Sequence, residues 1–341
     1  MITFKPKQVT KKLLSVLSDR ARDVLEKRYG LGKSTETHTL ESIGQTYGIT
    51  RERVRQIENY GISSIQKSDV YKEFQGVFDE LKNALDNLGC VISEEDLLNE
   101  LAADPSTRNH IYFLLVLGDP FYRSKENTSF KHRWFIEKKI SDAVEKALQN
   151  IFSTFNEDEL VSEEDIIARL KNELSHLEER YRDEAILRRW LSISKEIDRN
   201  PLGEWGPSSS PNVRAKGIRD YAYLAVKRHG SPMHFKEVAE AIQELFNKKA
   251  HVATTHNELI KDKRFVLVGR GLYALTEWGY SAGVVKDVLR DILVKSGPLT
   301  REEIIDRVRR ERYVKDNTIV VNLQDNTLFK RLSDGSYVVV E

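Results

Sequence analysis

The sequence predicts a mainly α fold with small β wings, assembled from several modest modules, and three observations predict it. The chain has 341 residues, a length usually shared by two or more domains. It is 40% hydrophobic but 31% charged and 9% aromatic, a balance that suits small helical modules better than one large buried sheet. Beyond the first 68 residues, amphipathic stretches of helical period alternate with short strand-like runs, roughly every 60 to 75 residues.

Eight prolines and eighteen glycines are too few for a fibrous or disordered chain. Cys90 is the one cysteine, which excludes an internal disulfide framework and a cysteine-rich zinc site and suits a reducing, cytoplasmic setting. The opening stretch carries charges but no apolar segment behind them, so a secretory signal is not expected. No run approaches the roughly 20 apolar residues that span a bilayer. Net charge is +1, yet residues 1–68 hold thirteen Lys/Arg against seven Asp/Glu, leaving a head of +6 on a body of −5. A basic head on a mildly acidic body suggests that the head is the part that meets phosphates.

Within the head, Thr39 and Ser42 open a helix with Leu40, Ile43 and Tyr47 on its apolar face. Gly48 ends it where a positive φ is needed, and Thr50 caps a second helix. On that helix Val54, Ile57, Gly61 and Ile65 fall on one side, and Arg51, Glu52, Arg55, Gln56 and Asn59 form a stripe on the other. A basic and amide stripe at the front of a second helix is what major-groove reading requires. Arginine donates twice to guanine, glutamine pairs with adenine, and glutamate accepts from cytosine.

Thr50-Arg-Glu-Arg-Val-Arg-Gln-Ile-Glu58 resembles the signature of region 4 of sigma-70-type factors, the module that reads the upstream (−35) promoter element. Leu17–Leu31 looks like the first half of that region, and the resemblance covers about residues 13–68. It implies that Arg51, Glu52, Arg53, Arg55 and Gln56 contact double-stranded promoter DNA, and Thr50 at the cap and Asn59 on the stripe are expected to join them. It also implies that Leu17, Arg20, Leu25, Arg28 and Tyr29 face RNA polymerase, at its β flap or core. Ala21 replaces a usual acidic residue, Gly61 a usual alanine, and the basic tail of the family is here Ser63–Lys67. Nothing in the sequence resembles the aromatic, basic helix with which sigma factors open DNA. Trp134, Trp190, Trp205 and Trp278 read as packing residues.

After the head the repeats begin with helices at Val77–Leu88, Ile140–Phe155, Ile218–Lys227 and Val284–Val294. Each is followed by a cap cluster and second helix, as at Ser93 and Ser162, which have acids three residues on at Asp96 and Asp165. A third helix and a strand pair close each repeat. The pairs are Phe121–Arg123 with Arg133–Ile136, Lys195–Ile197 with Glu204–Gly206, Phe265–Val268 with Leu272–Leu275, and Phe329–Leu332 with Tyr337–Val340. Three helices and a hairpin describe a winged helix. The expected domains are therefore a helix-turn-helix at 1–68 and tandem winged helices at 69–138, 139–207, 212–280 and 281–341. Two winged helices behind an irregular helical bundle are the alternative, because the charged run Lys171–Arg189 fits the template poorly. Residues 217–278, with Gly230–Ile242 and Arg264–Leu275, look like the HARE-type winged helix shared by the polymerase delta subunit, some restriction systems and chromatin factors. Lys261, Lys263 and Arg264 give this repeat a basic cluster.

No nucleotide loop, metalloprotease motif or nucleophile elbow is present, and Val268–Gly271 runs from strand to strand without a helix to cradle phosphate. His234 sits at a helix start with no acid–base partner in view. The expectations are no catalytic residue, no metal, no cofactor, no small-molecule substrate and no membrane partner. The expected function is that of a cytoplasmic, nucleoid-associated bacterial regulator of initiation. The alternatives are a sigma mimic docking on polymerase with incidental DNA binding, or a DNA-binding component of a defence locus.

Overall fold

A computed structural model describes residues 2–280 and 283–340, so the expected boundary at 281 lies outside the described residues. The chain clusters into two compact units, one of residues up to 198 with 205–208, the other of 199–204 with 209–341. Helices dominate both, and the sheets are small and antiparallel.

The first unit opens with α1 (Pro6–Leu14), where the proline at the first helical turn loses nothing because that N–H has no partner there. Next come α2 (Asp19–Tyr29), α3 (Leu40–Tyr47) and α4 (Arg51–Gln66). They are followed by α5 (Asp69–Glu73), α6 (Gln75–Asn87), β1 (Val91–Ser93), α7 (Glu94–Leu101), α8 (Pro105–Leu117), β2 (Tyr122–Ser124) and β3 (Arg133–Phe135). The second repeat supplies α9 (Lys138–Thr154), α10 (Glu163–Glu173), a 3-10 turn at Glu179–Arg182, α11 (Glu184–Leu191), β4 (Ile197–Arg199) and β5 (Trp205–Pro207).

The caps expected at Ser93 and Ser162 form, each hydroxyl accepting from the amide three residues on at 3.1 Å. Ser93 also ends a strand that the sequence does not announce. β1 pairs with β3 through Ile92 opposite Trp134, making a three-stranded sheet β1-β3-β2 where a two-stranded hairpin is expected. A strand of three residues offers no alternation to read. The β4–β5 pair begins two residues later in its first strand and one later in its second than expected, because Lys195 bonds the backbone of Ser129 instead. The charged run 171–189 resolves into the end of α10, the 3-10 turn and the start of α11.

The core is continuous across residue 68. Leu13, Leu25 and Ile65 share one cluster with Phe78, Leu81, Phe113 and Leu114, so the head does not pack by itself. A second cluster gathers Val91, Val144, Leu187 and Trp190, and the Trp190 indole donates to the carbonyls of Gly89 at 3.0 Å and Val91 at 3.1 Å. Trp134, Trp190 and Trp205 are buried and Trp278 half-buried, in line with packing roles.

The second unit contains α12 (Ile218–His229), β6 (Met233–His234), α13 (Phe235–Phe246), α14 (Val252–Lys261), β7 (Phe265–Gly269) and β8 (Leu272–Leu275), with sheet order β6-β8-β7. It continues with α15 (Val285–Ser296), α16 (Arg301–Glu311), α17 (Asp316–Leu323), β9 (Phe329–Arg331) and β10 (Tyr337–Val339). Thr300 closes a full capping box with Glu303 at the start of α16. Among the described residues, no helix is long and apolar enough to cross a membrane.

Candidate nucleic-acid interface

The geometry of α3 and α4 follows from local chemistry. The Thr39 hydroxyl accepts from the Ser42 amide at 3.1 Å and starts α3. Gly48 stops it at φ 65°, a left-handed conformation that costs glycine little. The Thr50 hydroxyl then accepts from the Arg53 amide at 3.2 Å and starts α4. Val24, Ile43 and Val54 form the small core that sets the angle of the pair, with Leu40, Tyr47, Ile49 and Ile57 around it.

This packing turns Val54, Glu58, Gly61 and Ile65 inward and leaves Arg51, Glu52, Arg53, Arg55, Gln56 and Asn59 exposed on α4, with Thr50 exposed at its cap. Sixteen residues of helix run about 24 Å, ample to follow a major groove. The exposed side chains brace one another. The Glu52 carboxylate accepts two bonds from Arg55, at 2.9 and 2.7 Å, and Arg53 donates to the side-chain amide oxygen of Gln56 at 2.9 Å. The Arg55 hydrogen bond holds the Glu52 carboxyl below its usual range, and Glu52 in turn raises the Arg55 guanidinium. At Gly61 an added Cβ would lie 3.1 Å from Leu25 Cδ1, so the residue that weakens the helix also lets it approach α2.

The residues expected to face polymerase divide. Leu17 and Leu25 are 6% and 0% exposed. They are core residues, which corrects their assignment to a docking surface: α2 turns its apolar side toward α4. Arg28 and Tyr29 are half-buried and are bound to Glu58, with the Tyr29 hydroxyl donating to its carboxylate at 2.9 Å and Arg28 Nε at 3.3 Å. A second Arg28 nitrogen donates to the His38 carbonyl at 3.1 Å. Burial, and then the charge of Glu58, hold the Tyr29 hydroxyl well above the ordinary tyrosine value. Of the five, Arg20 is the exposed one, its guanidinium 5.6 Å from the Tyr47 ring centre.

Glu58 was missed as an organising residue, although a signal existed: it lies four residues after Val54, on the inward face. Asn109 of α8 had no local signal. Its amide donates to the carbonyls of Gly30 at 3.1 Å and Thr35 at 2.9 Å and ties down the loop that delivers α3.

In the second unit, Lys261 and Lys263 are exposed, but Arg264 is committed internally. It bonds Asn212 at 3.0 Å, Asp220 at 2.9 Å and Asp262 at 2.6 Å, so the basic cluster read there is smaller than its sequence suggests. His234 stands at the start of α13, its Nδ1 accepting from the Lys236 amide at 3.3 Å.

Comparison with known proteins bears on one segment. Residues 13–67 match the family model "Sigma-70, region 4". The same region-4-like module is 45% identical over 65 residues to the RNA polymerase sigma factor SigA1 of Synechococcus elongatus, covering 18% of this chain and 16% of that protein. It is 46% identical over 66 residues to the RNA polymerase sigma factor SigA of Nostoc sp., covering 18% and 17%. It is 39% identical over 70 residues to the RNA polymerase sigma factor RpoD of Neisseria gonorrhoeae, covering 20% and 11%. The matched part is thus less than a fifth of each of these relatives. The module holds the whole exposed stripe of α4.

Proposed function

We propose that this protein is a DNA-binding transcription regulator acting at initiation, which reads a −35-like promoter element through α3 and α4 and engages RNA polymerase. The observation that carries the reading is the exposed stripe Arg51, Glu52, Arg55, Gln56 and Asn59, with Arg53 exposed beside it, set by capping and packing on a helix in the segment that matches region 4. Its donors and acceptors suit base edges, and its flanking cations suit phosphates. The three-helix-plus-sheet segments spanning 218–275 and 285–339 are read as winged helices that contact protein.

The test is capture of core RNA polymerase by the full chain, with and without a duplex containing a −35-like element, alongside direct titration of that duplex. Specific duplex binding together with polymerase capture supports the reading. Polymerase capture with no preference among duplexes makes the protein a sigma mimic instead. Specific binding without capture removes polymerase from the proposal.

A further inference from the structure

Between α1, α2 and α8 lies a cavity of about 270 Å³, lined among others by Lys7, Thr10, Lys11, Arg22, Glu26 and His110. Two of these side chains are enclosed, Thr10 at 0% and His110 at 3% exposure. The Thr10 hydroxyl and both His110 ring nitrogens have no hydrogen-bond partner within the protein. Buried polar atoms in folded proteins are nearly always paired, and three orphans lining one cavity, from α1 and α8, mark a place that something else completes.

The chemistry of the lining restricts what that is. Among the lining residues Lys7, Lys11 and Arg22 stand against the carboxylate of Glu26, with Asp19 pairing with Arg22 from outside the lining at 3.6 Å; the remaining positive charge disfavours a metal cation. Arg22 is held in place by bonds to the carbonyls of Leu14 at 3.3 Å and Leu17 at 3.1 Å. An apolar ligand would leave the orphaned atoms unmatched. A water molecule can bridge them but brings no charge to meet the Lys7 and Lys11 ammonium groups. The Thr10 hydroxyl, one N–H of the His110 imidazole and the Lys7 and Lys11 ammonium groups together offer more donors than acceptors, the complement of an oxyanion.

We infer that this cavity is a binding site for a small oxyanion of the phosphate class, with Thr10 and His110 inside it and Lys7 and Lys11 at its solvent edge. The ligand is either free phosphate or the phosphate end of a small metabolite. Burial, and then the charge of Lys7, hold the His110 imidazole below its ordinary value. An anion bound there reverses the local field. Because α1 and α8 both pack in the core that includes Leu25 of α2, occupancy would tie the oxyanion to the stability of the helix against which α4 rests.

The experiment titrates the full chain with inorganic phosphate at constant ionic strength, with chloride as the balancing anion. Melting temperature and the His110 imidazole resonances are followed together. Expected are a saturable rise in melting temperature and a saturable His110 shift. Both should weaken roughly tenfold or more in Lys7→Gln/Lys11→Gln, a pair of exposed substitutions that spares the fold. Thr10→Val/His110→Phe, which has no imidazole to follow, should abolish the phosphate-dependent rise in melting temperature. A second arm uses a nucleoside 5′-monophosphate: tighter binding than phosphate assigns a metabolite, weaker binding the free anion. No saturable His110 shift at millimolar phosphate, or a response equal to that of chloride, overturns the proposal. So does an undiminished response in Lys7→Gln/Lys11→Gln. None of these results depends on whether α4 reads DNA.

Discussion

Glu52 and Arg55 are joined by two hydrogen bonds one turn apart on the exposed face of α4. The pair fixes the plane of the guanidinium before any ligand arrives, and a guanidinium held in one plane loses less freedom when it docks on a base edge.

Arg55→Ala is therefore expected to weaken binding to a −35-like duplex by roughly ten- to a hundred-fold, the usual worth of a bidentate base contact, and binding to random duplexes much less. Glu52→Ala removes the brace and a negative charge. It should raise random-duplex affinity while narrowing the gap between preferred and random sites. Fluorescence anisotropy on the two duplexes measures both. Equal losses for Arg55→Ala on the two would place its side chain on phosphate, or off the DNA.

Salt dependence locates the DNA-binding surface. Each phosphate bound by a cation contributes about 0.9 to the slope of log affinity against log salt. Arg51→Gln/Arg53→Gln in the full chain should flatten that slope by about 0.9 for each phosphate no longer neutralised, while Lys261→Gln/Lys263→Gln should leave it unchanged. The head shares its core with α6 and α8, which is why substitutions in the intact protein are preferred to a fragment ending at residue 68. A flatter slope in the lysine pair would make the second unit part of the DNA-binding surface.

Gly61 opposes two effects of similar size. Alanine would favour the helix by about 1 kcal/mol, but its Cβ would press on Leu25, which is wholly buried. Gly61→Ala is expected to be near neutral in thermal melts, whereas Gly61→Val should destabilise by about 1–3 kcal/mol through overpacking. A valine variant as stable as the parent would show that α2 and α4 can part freely.

Tyr29 gives the fold an alkaline limit. Its hydroxyl stays protonated in the folded state, while the unfolded chain ionises near the ordinary value of 10.0. The stability supplied is therefore complete below that value and lost as pH rises above it. Tyr29→Phe removes the bond to Glu58 and should cost about 1–2 kcal/mol near neutrality. Its denaturant-measured stability should then fall less steeply than the parent's above pH 10. Parallel curves would mean that Tyr29 ionises freely.

Much of this could be read from the sequence. Thr39, Gly48 and Thr50 mark the turn because caps and left-handed stops are satisfied within three or four residues, and the 3.6-residue period separates Val54 from Arg55 wherever the helix lies. The hairpins β7–β8 and β9–β10 were legible for the same reason, their turns being local. What the period cannot say is which apolar face meets which partner. Leu17 and Leu25 read as a docking edge, and the approach of α4 at Gly61 buries them in the core instead. The grip of Glu58 on Tyr29 spans 29 residues and that of Asn109 on Thr35 spans 74. The cavity holding Thr10 and His110 exists only because α1 returns to α8. Sequence determined the face that α4 presents, since helix geometry is a short-range consequence of backbone bonding. Tertiary packing decided what lies beneath that face, since burial depends on side chains distant along the chain competing for the same volume.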